Sequence, residues 1–413
     1  MARVLFIHQN FPAQFKSIVP ALVAQGHDVL ALKPGKSGAM NWQSVEVIPY
    51  VVKRSSTANI HPWLTDFETK VIRGEAAFQA AQKLRDQGYI PDLIVAHPGW
   101  GESLFLKQVW PSAKLAIYGE FFYLSEGGDT GFDPEFPIAD SAADACRLSL
   151  KNLNNLMHMQ FADAGISPTQ WQASTFPEPF RSRITVIHDG VDTDTLCPNP
   201  DIRITLNTPA GAVLLSRDTQ IITFVNRNLE PYRGYHVFMR MLPELLARHP
   251  TAQVLIVGGD EVSYGARPPA GKTWKQIYLN EVADSLDLSR VHFLGKIPYA
   301  QFVGLLQIST VHVYLTYPFV LSWSLIEAMS VGCAIVASDT PPLHEAIQHN
   351  ETGLLVPFFD VPAWVETISA LLNDAPRRQR LGQAARAFAV ARYDLQQICL
   401  PQQLAWINSV IRA

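Results

Sequence analysis

Short, almost wholly apolar runs recur along this chain, separated by stretches with helical spacing. "RVLFIH" (Arg3–His8) leads into the amphipathic "FKSIVPALVAQG" (Phe15–Gly26), whose Gly26 suits a helix C-terminus, and "DVLALK" (Asp28–Lys33) follows. A strand that is apolar throughout must be covered on both faces. A strand, helix, strand unit of this kind therefore implies a parallel sheet flanked by helices. "PDLIVAH" (Pro91–His97), "KLAIYGE" (Lys114–Glu120) and "RITVIHDG" (Arg183–Gly190) read as further buried strands. The pattern pauses over residues 197–217, where prolines, asparagines and aspartates give the composition of a linker. It then resumes with "IITFVN", "AQVLIVGG", "RVHFLG", "VHVYLTY", "CAIVAS" and "GLLVPF" between Ile221 and Phe358. The expected class is α/β, with two Rossmann-like doubly wound domains whose strand ends face a central cleft. The expected boundaries are 1–197 for the first domain, 198–217 for the linker and 218–394 for the second. The helical patterns "APRRQRLGQAARAFAVARYD" and "LQQICLPQQLAWINSVIRA" close the chain, with 395–413 expected as a final helix.

Length and composition agree with a globular protein of more than one domain: 413 residues, 48% apolar and 17% charged. A formal charge of -4 and the lack of a basic block argue against a nucleic-acid partner. Cys146, Cys197, Cys333 and Cys399 lie far apart without metal-ligand or redox spacing, which suits reduced thiols and a cytoplasmic location. The apolar run in "MARVLFIHQNF" is too short for a signal peptide, and no run is long enough to span a bilayer. Peripheral contact with a membrane surface stays open.

Three segments carry chemistry. In "VNRNLEPYRG", Arg227 and Arg233 follow an apolar strand, and paired guanidinium forks suit a diphosphate. The competing reading pairs them with surface carboxylates such as Glu230. In "FVLSWSLIEAMSVGC", a helix begins near Ser322 and Ser324, so Ser322 and Trp323 lie at a helix N-terminus, whose free N–H groups attract phosphate. Glu327 stands at capping-box spacing from Ser324 and could equally accept hydrogen bonds from a ribose diol. "VLIVGGDE" ends a strand in Gly258 and Gly259, and "HFLGKIP" ends another at Gly295, with Lys296 and Ile297 beyond it. Each reads as a backbone approach to a ligand or as a tight turn. The stretch "GGDTGFDPEF" (Gly127–Phe136) reads as a long ordered loop.

Together these segments resemble the family 4 glycosyltransferases, which have the two-domain GT-B fold. The arginine loop, "VGGDE", "VHFLGKIP" and "SLIEAMSVGCAIVASDTPPLHEAI" occur in that family's order, and "GHDV", "DLIVAHPGWGE", "SPTQW" and "VIHDGVDTDTLCP" look like its first domain. The resemblance implies retaining transfer of a sugar from a nucleotide diphosphate sugar to an acceptor hydroxyl, with the C-terminal helix crossing back to the first domain. It assigns Arg227 and Arg233 to the donor diphosphate, together with the Ser322–Trp323 segment. It assigns Glu327 to the donor ribose, and places Gly258, Gly259, Gly295, Lys296 and Ile297 around the nucleoside. His97, at the end of a strand, matches a histidine near the donor sugar; Glu120, also at a strand end, is a candidate to take a proton from the acceptor. Two departures stand out. Phe319 occupies the place of the first glutamate of the family's pair. "HQNFPAQF" replaces a glycine pair after the first strand, which leaves Gln9, Asn10 and Gln14 as polar substitutes.

"VDTDTLCP" contains an Asp-x-Asp triplet, Asp192–Asp194, which binds metal in a different glycosyltransferase fold. Here it matches an interdomain connection, so the expectation is no metal and no other cofactor, with the nucleotide sugar as co-substrate. The acceptor class is open: a sugar, a lipid-linked sugar, a protein or a small molecule. Three alternatives remain at this stage. A nicotinamide dehydrogenase lacks support because no G-x-G-x-x-G follows the relevant strands. A nucleotide-sugar hydrolase or epimerase of the same fold would have the same donor site. A non-catalytic nucleotide-sugar binding protein would be consistent with Phe319.

Overall fold

The computed structural model describes residues 1–36, 38–208 and 211–413. The chain divides into two compact units, Met1–Asp189 joined by Gln396–Ala413, and Gly190–Leu395.

The first unit is built on an eight-stranded sheet. Its strands are β1 (Arg3–Ile7), β2 (Asp28–Pro34), β3 (Met40–Trp42), β4 (Val45–Tyr50), β5 (Leu93–Ala96), β6 (Lys114–Tyr118), β7 (Ala164–Ser167) and β8 (Ile184–Val186). The order is β3-β4-β2-β1-β5-β6-β7-β8, parallel except for the antiparallel edge strand β3. The chain builds outward from β1 through β2 to β4 and then returns past β1 to β5. The winding direction therefore reverses between β1 and β5, and ligands of open α/β sheets bind at the carboxyl ends beside such a reversal. Both faces of the sheet are buried, as the apolar runs require. Val4 and Phe6 of β1 join one core, while Leu5 and Ile7 join the other. The helix Leu400–Arg412 contributes Trp406, Ile407 and Val410 to the first of these cores, beside Phe15, Ile18 and Leu22. Burying side chains of this size stabilises by roughly 1.5–3 kcal/mol each. Gln403 Nε2 donates to the His188 carbonyl at 2.9 Å and fixes the register of this helix.

The second unit carries a six-stranded, wholly parallel sheet of β11 (Ile221–Asn228), β12 (Gln253–Gly259), β13 (Val291–Gly295), β14 (Val311–Tyr314), β15 (Ile335–Ser338) and β16 (Leu354–Val356). Its order, β13-β12-β11-β14-β15-β16, reverses between β11 and β14. Ahead of it comes an antiparallel hairpin of β9 (Arg203–Thr208) and β10 (Gly211–Ser216). This corrects the expectation of an irregular linker at 198–217. Ile202, Ile204 and Val213 pack against the core of the second unit, so the segment belongs to that unit instead of separating two others. Residues 127–136 form no helix or strand, as a long ordered loop requires; within them Asp129 and Asp133 are buried, and the Asp133 carboxylate accepts from the Glu135 N–H at 2.8 Å. Among the described residues no helix is long and apolar enough to cross a membrane.

Candidate active site

The reversal point of the first sheet is marked by a histidine at each strand end, His8 after β1 and His97 after β5. Each accepts a hydrogen bond at Nδ1 from the N–H two residues on, His8 from Asn10 at 2.8 Å and His97 from Gly99 at 3.1 Å. An accepting Nδ1 carries no proton, so in both rings the neutral tautomer has its proton on Nε2. The rings lie 5.1 Å apart edge to face, with Trp100 against both, and His97 also stacks on Tyr118 at 5.4 Å. Burial, followed by the nearby His97, pushes His8 down to about 3. His97 is only 2% exposed, and its Nε2 stands 3.5 Å from a carboxylate oxygen of the more open Glu120. Of this pair Glu120 is the group that solvent reaches. An Nε2–H aimed at the carboxylate orients Glu120 as an acceptor.

Much of the surrounding structure holds these two strand ends still. The helix Ser141–Phe161 buries a polar face of Asn152, Asn154, Asn155 and His158. Asn154 Nδ2 donates to the Pro98 carbonyl at 2.5 Å, and His158 Nε2 meets Ser103 Oγ at 2.6 Å, which grips the turn after β5. Asn152 bonds both backbone groups of Tyr123, and Asn155 donates to the Phe121 carbonyl, which grips the segment after β6. Gln172 Nε2 donates to the Glu120 carbonyl at 2.7 Å. Gly101 has φ +91°, and a Cβ there would lie 2.5 Å from the Lys70 carbonyl, so this turn admits only glycine. In the same turn Glu102 is wholly buried, and burial pushes its carboxyl up to about 7.

Of the substitutes proposed for a phosphate loop, Gln9 is engaged through its side chain, Asn10 through its backbone, and the Gln14 side-chain oxygen lies buried in the same neighbourhood. Arg73 donates to Gln9, the Asn10 N–H serves His8, and the Gln14 side chain lies beside His8.

In the second unit the reversal between β11 and β14 collects the arginines. Arg227 is exposed on β11 and makes no hydrogen bond or ion pair among the described residues. Arg233 is 5% exposed, and its Nη1 donates to Thr316 Oγ1 at 2.7 Å and to the Val320 carbonyl at 3.2 Å. Its guanidinium sits 5.1 Å from the Tyr264 ring centre and 6.0 Å from that of Phe319. Among the described residues no carboxylate pairs with it. Glu230, the partner offered by the competing reading, instead accepts from the N–H groups of Ser263, Tyr264 and Gly265 at 3.1–3.4 Å. Phe319 packs against Tyr232 and Tyr264 at 5.2 and 5.1 Å, so an aromatic wall stands where the family has its first glutamate.

The helix Trp323–Ser330 starts where expected, with Ser322 as its cap. The Ser322 N–H donates to the Tyr314 hydroxyl at 3.1 Å, and the Ser324 N–H to Ser322 Oγ at 3.3 Å. In this state neither is open to a phosphate, which corrects the picture of a bare helix end. The capping-box reading of Glu327 is also corrected. Ser322, not Ser324, is the cap, and Glu327, 8% exposed, accepts from the Tyr299 hydroxyl at 2.8 Å. The glycines at the end of β12 have structural neighbours: a Cβ at Gly258 would lie 2.6 Å from Leu229, and one at Gly259 2.5 Å from Lys296. Lys296 lies across Gly259 and pairs with Glu261 at 2.7 Å, Gly295 turns with φ +65°, and Ile297 packs on the core.

The Asp192–Asp194 triplet is a turn. Asp192 accepts from the N–H groups of Asp194 and Thr195 and from the Thr195 hydroxyl, at 3.2, 3.0 and 2.8 Å, bonds that hold its carboxyl below the usual range. Thr193 donates to Asp394. Among the described residues no cluster of three or more His, Cys, Asp or Glu side chains is arranged to hold a metal.

Two family models match this chain, the glycosyl transferase family 4 group over residues 25–196 and the glycosyl transferases group 1 over residues 211–388. The chain belongs to the family 4 glycosyltransferases. Curated relatives of this glycosyltransferase include the D-inositol 3-phosphate glycosyltransferase of Nocardia farcinica, 31% identical over 55% of this chain and 49% of the relative. That of Mycolicibacterium smegmatis is 29% identical over 57% and 51%. The chain spans about half the length of the curated relatives it matches. Among solved structures, a sucrose-phosphate synthase from Thermosynechococcus elongatus superposes with TM-score 0.74 at 20% identity, over 100% of both chains. An Anabaena protein solved with UDP-glucose superposes with TM-score 0.67 at 16% identity, over 99% of this chain and 100% of that one. At such identities the likeness is one of fold, and the fold of this glycosyltransferase is GT-B.

Proposed function

We propose that this enzyme transfers a sugar, with retention, from a nucleotide diphosphate sugar to an acceptor hydroxyl. The observation that carries the donor class is the state of the two arginines at the β11–β14 reversal. Among the described residues Arg227 makes no hydrogen bond or ion pair, and buried Arg233 meets no carboxylate. A desolvated guanidinium without a counter-charge is costly, and a diphosphate supplies the missing charge through paired hydrogen bonds. Glu327, a carboxylate able to accept several hydrogen bonds, accepts from the ribose diol. As the bond from the anomeric carbon to the diphosphate oxygen breaks, charge gathers on the leaving group, where both arginines meet it; no metal is needed for that step. The acceptor oxygen bonds to the anomeric carbon on the same face, and its proton passes to Glu120 or to the departing phosphate oxygen. His97 acts through Glu120 as a positioning residue. Among the described residues no carboxylate stands as an evident nucleophile of the kind retaining hydrolases use. The name shared by the curated relatives favours a phosphorylated polyol as the first acceptor to test.

Calorimetric titration of three ligands decides the donor assignment: the sugar nucleotide, the nucleoside diphosphate and the nucleoside. Arg227→Ala and Arg233→Ala should each weaken the first two by about ten- to a hundredfold, the equivalent of ~1.5–3 kcal/mol, and barely affect the nucleoside. Glu327→Gln should weaken all three. Diphosphate binding as tight as wild type in both arginine variants would move the donor site elsewhere.

A further inference from the structure

The second unit has another cavity, of about 570 Å³, at the opposite end of its sheet from Arg227 and Arg233. Its walls come from the segments that lead into the amino ends of the strands, at Arg217, Ser309, Thr310 and Ala334, and from the helix Ala375–Tyr393. Three arginines line it, Arg217, Arg378 and Arg386, and no aspartate or glutamate does. None of the three forms an ion pair among the described residues. Backbone carbonyls hold two of them in place. Arg378 Nη1 donates to Leu371 and Leu372 at 2.7 and 2.6 Å, and Arg386 Nη1 to Leu196 and Ser330 at 3.0 and 2.5 Å. Arg217 rests on the Gln307 carbonyl at 3.4 Å.

Among the described residues these bonds leave the Nε and Nη2 donors of Arg217 and Arg378, and Nε of Arg386, without a protein acceptor. Carbonyls orient a guanidinium but carry no net charge to neutralise it. Burial holds Arg378 below its usual range, while Asp374, which caps the helix at the Arg377 N–H and lies outside the cavity lining, acts in the other direction. The cavity thus presents three positive charges, two of them held in place and none opposed by a carboxylate on its walls, in a space of the size that small ligands fill.

We propose that this cavity is a binding site for a phosphate-bearing small molecule, separate from the donor site. Planar donor forks held at fixed positions suit phosphate oxygens, which accept two at a time. The location also suits influence on the reaction. Val331 and Gly332 line the cavity at the end of the helix Trp323–Ser330, the helix that carries Glu327 and is capped by Ser322.

The test uses inorganic pyrophosphate and the full chain. Pyrophosphate would also meet the donor arginines, so calorimetry is run on wild type and on the Arg227→Ala/Arg233→Ala double variant. Two classes of site are expected in wild type and one in the double variant. In that double variant, adding Arg217→Ala or Gln383→Glu should weaken the remaining site by about tenfold or more. Both positions are exposed, and Gln383→Glu removes no contact while placing a carboxylate on the wall. The same two changes in the wild-type background should leave the donor-site affinity within about twofold. One class of site in wild type with none in the double variant overturns the proposal. So does a remaining site that ignores both substitutions. Charge-dependent binding seen only with phosphatidylglycerol vesicles, and not with pyrophosphate, would overturn it in favour of a membrane contact.

Discussion

At the scale of single residues, the histidines show how position fixes protonation chemistry. "His97 at a strand end" was readable in the sequence, but its tautomer was not. The proton sits on Nε2 because the Gly99 N–H occupies Nδ1, and the turn that brings Gly99 round depends on Gly101 beside Lys70. His8 adopts the same arrangement and escaped notice, although it too ends an apolar run. Arg233 was legible as a cation near a strand end. Its burial was not, since that depends on Tyr264 and Phe319, which are distant in sequence. Two tests belong here. Glu120→Gln should cut turnover by about 10²–10⁴-fold with nucleotide affinity unchanged. His97→Ala should also cut turnover while sparing nucleotide affinity; equal turnover in wild type and His97→Ala would show that Glu120 needs no orienting donor. The Asp192 turn gives the second. Asp192→Asn should leave donor affinity intact, and activity should survive a chelator; loss of activity restored by magnesium or manganese would show that the absence of metal chemistry was misjudged.

At the scale of elements, apolar runs revealed most of the strands, and three strands of the first sheet lacked one. β1, β2, β5, β6, β8 and all six strands of the second sheet follow apolar runs. The edge strand β3, "MNW", is largely exposed, β4 contains Pro49, and β7 is the four-residue "AGIS". None carries enough apolar contrast to announce itself. The hairpin β9–β10 was hidden for another reason: one face packs on the core and the other meets solvent, and flanking prolines and aspartates mask the alternation. The helix Ser141–Phe161 was equally opaque, because three asparagines and a histidine share its buried face with only Leu148 and Met159. That face makes the helix a clamp on the two strand ends that carry His97 and Glu120. Asn154→Ala would leave the Pro98 carbonyl without its donor at a buried position, at a cost of about 1–3 kcal/mol. The expected outcome is a lower urea midpoint with unchanged slope, together with a larger fall in turnover than in nucleotide affinity. A stability loss with normal turnover would mean that the turn keeps its geometry without the clamp.

At the scale of the whole molecule, buried titratable groups set the response to acid. His8 is held down to about 3, and His158, His188 and His312 to about 4, chiefly by burial. In an unfolded chain each would titrate near 6.5. Burial acts oppositely on Glu102, pushed up to about 7, and on Asp129, pushed up to about 6, whose ordinary values are 4.5 and 3.8. Between pH 4.5 and 6 the unfolded chain binds four more protons at the histidines, and the folded protein two more at the carboxyls. The difference of two favours unfolding, so stability should fall on acidification by ~2.7 kcal/mol per pH unit across that window. Urea denaturation at stepped pH reads the slope, and a flat or rising stability on acidification would contradict the assignment. The discontinuous first unit has a consequence of a different kind, for the nascent chain. One of its two cores cannot be completed until residues 396–413 are made, and residues 190–395 come between. At ~5–20 residues per second, translating that intervening stretch takes on the order of 10–40 s. For that interval Phe15, Ile18 and Leu22 wait on the ribosome with part of their apolar surface wet. The second unit, whose residues are contiguous, is free to finish first, and folding is completed at the unit with which synthesis began.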